Sequence, residues 1–171
     1  PPMGNWVRWG SKHIACNPLH AQLAAFVREK KAAEVAVLDC RALELSEQEM
    51  VERVKEESPD AVFLGTRLIT DGGAKPIVRT IEVANLLKES FPKLITITGG
   101  LGISAMPKEL LALSPQLDYV LIGEAEPTLI ELLEELKKEQ PKPAAVRGLA
   151  FRQDSKIMLT PPRSLLPDLN Q

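Results

Sequence analysis

Residues 94–107 run Leu94-Ile95-Thr96-Ile97-Thr98-Gly99-Gly100-Leu101-Gly102-Ile103-Ser104-Ala105-Met106-Pro107. Five apolar or β-branched residues pass straight into a glycine pair, then into a short segment closed by proline. The first part, Leu94 to Thr98, reads as a buried strand. Near-continuous hydrophobicity without polar alternation is what a strand covered on both faces requires. The glycines let a chain or ligand approach the backbone and supply turn conformations. Pro107 then suits the opening of a short helix. The same grammar recurs at Val35 to Leu38, at Ala61 to Gly65 and at Tyr119 to Ile122.

Helical patterns separate these runs. Leu19, Leu23, Phe26 and Val27 repeat at helical spacing. Ser46 followed by Glu49 forms a capping box, in which hydroxyl and carboxylate each satisfy a free backbone N–H. Met50, Val51 and Val54 supply the buried face of that helix. Ile77, Ile81, Ala84 and Leu87 mark a third helix, stopped near Phe91-Pro92. Leu129, Leu132, Leu133 and Leu136 mark the last. Alternating strands and helices predict a parallel sheet with right-handed crossovers. After Pro141-Lys142-Pro143 the pattern changes. Leu149 to Arg152 and Lys156 to Leu159 flank Gln153-Asp154-Ser155 and read as a β-hairpin.

The expected fold is therefore α/β: a flavodoxin-like (Rossmann-like), doubly wound parallel sheet with a C-terminal β-hairpin. Residues 1–143 form the α/β domain, 144–160 the appended hairpin, and 161–171 a proline-rich linker or strap. In a sheet of order 2-1-3-4-5 the first strand is central. Here it would end where Pro1 stands, so the first strand is expected to be missing and its place to be filled by something else.

Bulk properties narrow the function. The chain has 171 residues, room for one domain. Its net charge is -2, and its cations are scattered. Phosphate affinity needs concentrated cations, so no nucleic-acid partner is expected. No apolar run is long enough to span a membrane, and no secretory leader is recognisable. Cys16 and Cys40 form no C-x-x-C pair, no metal cage and no disulfide framework. A cytoplasmic, reducing setting is expected.

Ligands of open parallel sheets bind beyond the carboxyl ends of the strands. Four segments are expected on that rim. The first is the loop from Met3 to Pro18, carrying Trp6, Arg8, Trp9, Lys12, His13 and Cys16. The second runs from Gly65 through Thr66, Arg67, Leu68, Ile69 and Thr70 to Gly73. The third joins Thr98, Gly99, Gly100, Leu101, Gly102 and Ser104. The fourth joins Gly123, Glu124, Ala125, Glu126 and Thr128. A tight strand-to-helix turn accounts for each glycine taken alone. Four such turns on one rim favour a ligand, for which the threonine and serine hydroxyls offer hydrogen bonds.

The stretch 94–107 resembles the glycine-pair strand end of the cobalamin (vitamin B12)-binding N-terminal domain of cobalamin-dependent radical S-adenosylmethionine (SAM) enzymes. Leu117 to Leu133, with Gly123-Glu124-Ala125-Glu126 inside it, is similar to that family's Gly-Glu-Gly-Glu turn and following helix. Arg147 to Arg152, then Pro161-Pro162-Arg163 and Leu166-Pro167-Asp168-Leu169, resemble its exit toward the radical domain. Asn17-Pro18-Leu19 resembles its opening segment.

The resemblance implies cobalamin lying over the carboxyl end of the sheet, its dimethylbenzimidazole tail inserted between strands. Thr66, Leu68 and Thr70, with Ile69 beside them, would line the tail pocket, as would Thr98, Gly99 and Gly100, with Leu101 and Gly102 next to them. Gly123, Glu124 and Glu126 would border the nucleotide and sugar. Read from their own loop, Trp6 and Trp9 have three uses: capping the corrin, packing on a partner domain, or filling local core. No catalytic residue and no protein metal ligand are assigned.

The sequence departs from the family at three places. Ala125 replaces the second glycine of the turn. His20 stands where glycine is usual and reads as surface or rim. Ser11-Lys12-His13 lacks the acid and glycine of the Asp-x-His-x-x-Gly signature, so His13 reads first as an ordinary loop histidine, with axial ligation of the cobalt as the lesser alternative.

The C-x-x-x-C-x-x-C motif that would hold a 4Fe-4S cluster is absent from the chain. The cluster and S-adenosylmethionine belong to the parent's missing radical SAM domain, the expected partner, and the parent is expected to be a methyltransferase, cyclase or rearranging enzyme. The alternative is a flavodoxin-like small-molecule or regulatory binding module without cobalamin. A phosphorelay receiver would need an Asp at the end of its third strand, where Thr66 follows Gly65.

Overall fold

The structure is a computed structural model and describes residues 18–65 and 75–163. Helices α1 (Pro18–Glu29) and α2 (Glu47–Glu57) precede the first strand, β1 (Ala61–Gly65). Then come α3 (Lys75–Ser90), β2 (Ile95–Gly99), α4 (Leu101–Ser104), α5 (Pro107–Leu113), β3 (Tyr119–Leu121) and α6 (Ala125–Leu136). The hairpin β4 (Leu149–Gln153) and β5 (Lys156–Leu159) closes the described chain. The sheet order is β1-β2-β3-β4-β5, with β1, β2 and β3 parallel and β4 and β5 antiparallel. Three consecutive parallel strands in sequential order are what the 3-4-5 half of a flavodoxin-like sheet presents.

The pleat sorts side chains into two layers, because successive residues of a strand face opposite ways. Ile97, Leu121, Leu149 and Phe151 face α1 and α6, packing with Leu23, Val27, Leu129 and Leu132. Val120 and Ala150 face the other way, onto Ile103, Leu110, Leu111 and Ala84 of α3 to α5. A third cluster joins Met50 and Val54 of α2 to Leu87 and Leu94. The Ser46–Glu49 capping box forms as expected: Glu49 N–H donates to Ser46 Oγ at 3.2 Å, and Ser46 N–H to Glu49 Oε2 at 2.8 Å. The Ser46 hydroxyl, which donates to Glu49 Oε2 at 2.6 Å, and then the Ser46 N–H hold the Glu49 carboxyl below its ordinary range.

One expected strand is not there. Val35 to Leu38 is irregular, and Val37 is 51% exposed. In the 2-1-3-4-5 order this run would be strand 2, whose only neighbour is strand 1. Among the described residues no strand occupies that place, so hydrophobicity alone does not make the run a strand. For the same reason every residue of β1 is only half-buried, whereas four of the five in β2 are buried.

The hairpin joins the sheet through β3, with Leu121 opposite Leu149 and Tyr119 opposite Phe151. Its two-residue turn carries Asp154 and Ser155 at φ 49° and 64°. Positive φ at both central positions is the mark of a type I′ turn, for which glycine is preferred at the second. Ser155→Gly is therefore expected to stabilise the fold by about 1 kcal/mol, seen as a higher urea midpoint with unchanged slope.

Candidate functional site

The carboxyl ends of β1, β2 and β3 come together at Gly65, Gly99 and the turn after Leu121. Gly65 and Gly99 are direct register partners across β1 and β2. By the pleat, both present their missing side chains to the α1–α6 face. A Cβ on Gly99 would lie 2.9 Å from Leu121 Cβ, so Gly99 is required by close packing. A Cβ on Gly65 would fall on the His20 imidazole. The two glycines thus lie side by side at the sheet end, and His20, on the first turn of α1, fills the space over Gly65. Sequence alone places His20 at surface or rim. The structure half-buries it against a strand end, a placement visible only once α1 is laid on β1.

Burial lowers the His20 imidazole below its ordinary value of 6.5, against a smaller upward pull from Asp39. Asp39 itself accepts backbone N–H bonds from Arg41 at 3.1 Å and Ala42 at 2.9 Å. The unfolded chain therefore binds the His20 proton more readily than the folded one. The resulting stability is fully present above pH 6.5 and is lost as pH falls from there through the depressed folded value. Removing the imidazole with His20→Gln is expected to flatten the stability–pH slope in that acidic window, measured by urea unfolding at stepped pH.

Around the sheet end, backbone turns are fixed by short hydroxyls. Gly100 adopts φ 123° and starts α4. Ser104 Oγ donates to Gly100 O at 3.0 Å and accepts the Gly123 N–H at 2.9 Å, tying the β2–α4 turn to the β3–α6 turn. Gly123 has φ 78°, and a Cβ there would meet nothing within 4 Å, so its backbone borders open space. Glu124 is the N-cap residue of α6, and Glu126 lies in the first turn. Carboxylates in that position interact favourably with the helix dipole. Gly102, within α4, is half-buried behind Gly100.

Thr98 lies differently from Gly99. It is fully buried, and its hydroxyl donates to Leu64 O at 2.7 Å. Strand alternation puts it on the α3–α5 face, away from His20, so Thr98 braces β1 to β2 from that side. Trp6, Trp9, His13, Thr66, Leu68, Ile69 and Thr70 lie outside the described residues, and of Leu101 only the backbone, at the start of α4, is described.

Thr128 carries no signal of its own in the sequence beyond its place on the rim, since a lone threonine in a helix is unremarked by any motif. It is fully buried, with its hydroxyl 3.3 Å from Arg147 O, and it accepts Arg163 Nε–H at 3.2 Å. Arg163 also pairs with Glu131 at 2.6 Å. A Cβ on Gly148, at φ 70°, would lie 3.1 Å from the same hydroxyl, and Gly148 donates its N–H to Pro161 O at 2.9 Å. Residues 160–163 are thus fastened to the start of α6, beside the rim.

Among the described residues no cluster of three or more His, Cys, Asp or Glu side chains could hold a metal ion, and no helix is long and apolar enough to cross a membrane. The rim brings together the Gly65–Gly99 pair and the Gly100 and Gly123 turns, the two turns tied by Ser104.

The chain is similar to known proteins in sequence and in fold. The family model described as the B12 binding domain matches residues 18–133. An anaerobic magnesium-protoporphyrin IX monomethyl ester cyclase from Synechocystis sp. (strain ATCC 27184 / PCC 6803 / Kazusa) is 32% identical over 137 residues, 80% of this chain and 26% of that protein. The chain thus spans about a quarter of that relative's length. Two solved structures share the fold. The cobalamin-dependent S-adenosylmethionine radical enzyme OxsB, with aqua-cobalamin and S-adenosylmethionine bound, aligns with TM-score 0.72 at 21% identity, covering 88% of this chain and 20% of that one. The radical S-adenosylmethionine methyltransferase TsrM from Kitasatospora setae, with cobalamin and a 4Fe-4S cluster bound, aligns with TM-score 0.72 at 21% identity, covering 93% and 28%.

Proposed function

The chain belongs to the B12-binding domain family, and from that premise we propose that it holds cobalamin over the carboxyl ends of β1, β2 and β3 and presents it to a radical SAM domain of the same polypeptide. The observation that carries the reading is the pairing of Gly65 with Gly99 at the ends of β1 and β2, on the face covered by α1 and α6. On this reading Gly65 and Gly99 bed the nucleotide tail, with Thr66, Leu68, Ile69 and Thr70 continuing the pocket. Gly100, Leu101 and Gly102 form its far lip. Gly123, Glu124 and Glu126 border the nucleotide sugar and phosphate, and Trp6 and Trp9 contact the corrin or the neighbouring domain. Thr98 acts through the strand pair.

Bound cobalamin supplies methyl-group or one-electron chemistry, while the protein supplies position. No residue of this chain is proposed as catalytic. The cluster and S-adenosylmethionine are assigned to the radical domain, and the parent to methyl transfer, cyclisation or rearrangement. A domain of residues 1–143, a hairpin of 144–160 and a linker from 161 complete the proposal, as do a cytoplasmic setting and the absence of nucleic-acid or membrane partners.

The test is an absorption titration of the purified chain with hydroxocobalamin, then desalting. Corrin bands are expected to co-elute with protein in equimolar amount. Protein that elutes folded by circular dichroism but colourless would overturn the reading in favour of a binding module for another ligand.

A further inference from the structure

His20 stands over Gly65, on the floor of the proposed tail cleft. Its ring covers Gly65 so closely that even a methyl group could not be added there without moving it. The imidazole is half-buried, and burial keeps it neutral at higher acidity than usual. A flat aromatic heterocycle therefore already fills the space between the first turn of α1 and the sheet end. A benzimidazole entering the same space cannot coexist with it. The imidazole is also the free end of a side chain with two rotatable bonds, so it can leave, unlike Leu121, which is anchored at its Cβ against Gly99. Asp39 is the charged group that pulls on it electrostatically.

We propose that His20 gates the tail cleft, so that a corrinoid carrying a benzimidazole nucleotide is admitted only when the imidazole swings off Gly65. The inference rests on the cobalamin reading and deepens it. It makes His20 a determinant of corrinoid choice: complete cobalamins must open the gate to bind, and tail-less corrinoids need not. If the open rotamer is populated about one-tenth of the time, apparent cobalamin affinity falls about tenfold relative to an ungated cleft.

The experiment compares hydroxocobalamin with dicyanocobinamide, which lacks the nucleotide, by equilibrium dialysis on the 171-residue chain and on its His20→Gly and His20→Phe variants. His20→Gly is expected to bind hydroxocobalamin about tenfold more tightly, with dicyanocobinamide unchanged. His20→Phe keeps a ring on the floor and is expected to stay at or below the parent for hydroxocobalamin. Thermal unfolding of each variant shows that it is folded. Unchanged or weaker hydroxocobalamin binding by His20→Gly overturns the gate, as does an equal shift for both corrinoids. If neither the parent nor folded His20→Gly retains hydroxocobalamin, the cofactor reading itself falls and the gate with it. A parent that binds and a variant that binds no better defeats the gate alone.

Discussion

Gly99→Ala is expected to lower folding stability by about 2 kcal/mol and to weaken hydroxocobalamin binding at least about tenfold. The two effects share one cause. The added Cβ would stand 2.9 Å from Leu121 Cβ and 3.4 Å from Leu121 O. Neither atom can give way, because Leu121 is fully buried and its Cβ is fixed to the strand backbone. The strands must part slightly, and the methyl group still intrudes on the cleft.

Gly65→Ala separates the effects. Its Cβ meets only the His20 ring, the free end of a flexible side chain. Stability should fall by no more than about 1.4 kcal/mol, the cost of holding the ring in a rotamer populated about one-tenth of the time. Binding should still fall, because the same floor is narrowed. Urea unfolding and dialysis on both variants read the split. A Gly99→Ala protein as stable as Gly65→Ala would show that the strand ends are looser than their register implies. One that binds as tightly as the parent would move the tail elsewhere.

Much of this architecture is legible in the sequence because local rules and burial point the same way. Runs such as Leu94 to Thr98 and Ala61 to Leu64 are apolar or β-branched throughout and lead into glycine, and both form parallel strands. The Ser46–Glu49 box is complete within four residues, so no distant contact is needed to predict it. Val35 to Leu38 looks just as strand-like and is not one, since a strand is made by its neighbour and the neighbour is absent from the described chain.

The site is less legible, for geometric reasons. Thr98 and Gly99 are adjacent in the chain, and the glycine-pair motif groups them, yet the pleat sends them to opposite faces. His20 lies forty-five residues before Gly65, and nothing local says that the first turn of α1 will rest there. Thr128 acquires its role from Arg147 and Arg163, both supplied by the segment beyond the last helix.

Leu149→Ala is expected to destabilise the chain by about 3 kcal/mol, lowering the melting temperature by roughly 6–12 °C. Leu149 lies beyond the stretch matched by the family model, which ends at residue 133. Packing nevertheless puts it at the centre of the molecule. It is fully buried, faces Leu121 across the β3–β4 ladder, and shares a cluster with Ile97, Leu129 and Leu132. Its N–H donates to Thr160 Oγ1 at 2.9 Å, and its carbonyl accepts the Thr160 N–H at 2.9 Å. Truncation would open a cavity against both α1 and α6, the helices that wall the cleft, so cobalamin affinity should decline as well. Met158→Ala, on the outer strand where the side chain is 40% exposed, is expected to change stability by less than about 0.5 kcal/mol. A large gap between the two variants would mean that β4 completes the core on which the rim is built, and that a division at residue 143 cuts through it. Two equally small effects would mean that the α/β unit stands without the hairpin, and that the hairpin serves only to aim the chain toward a neighbouring domain.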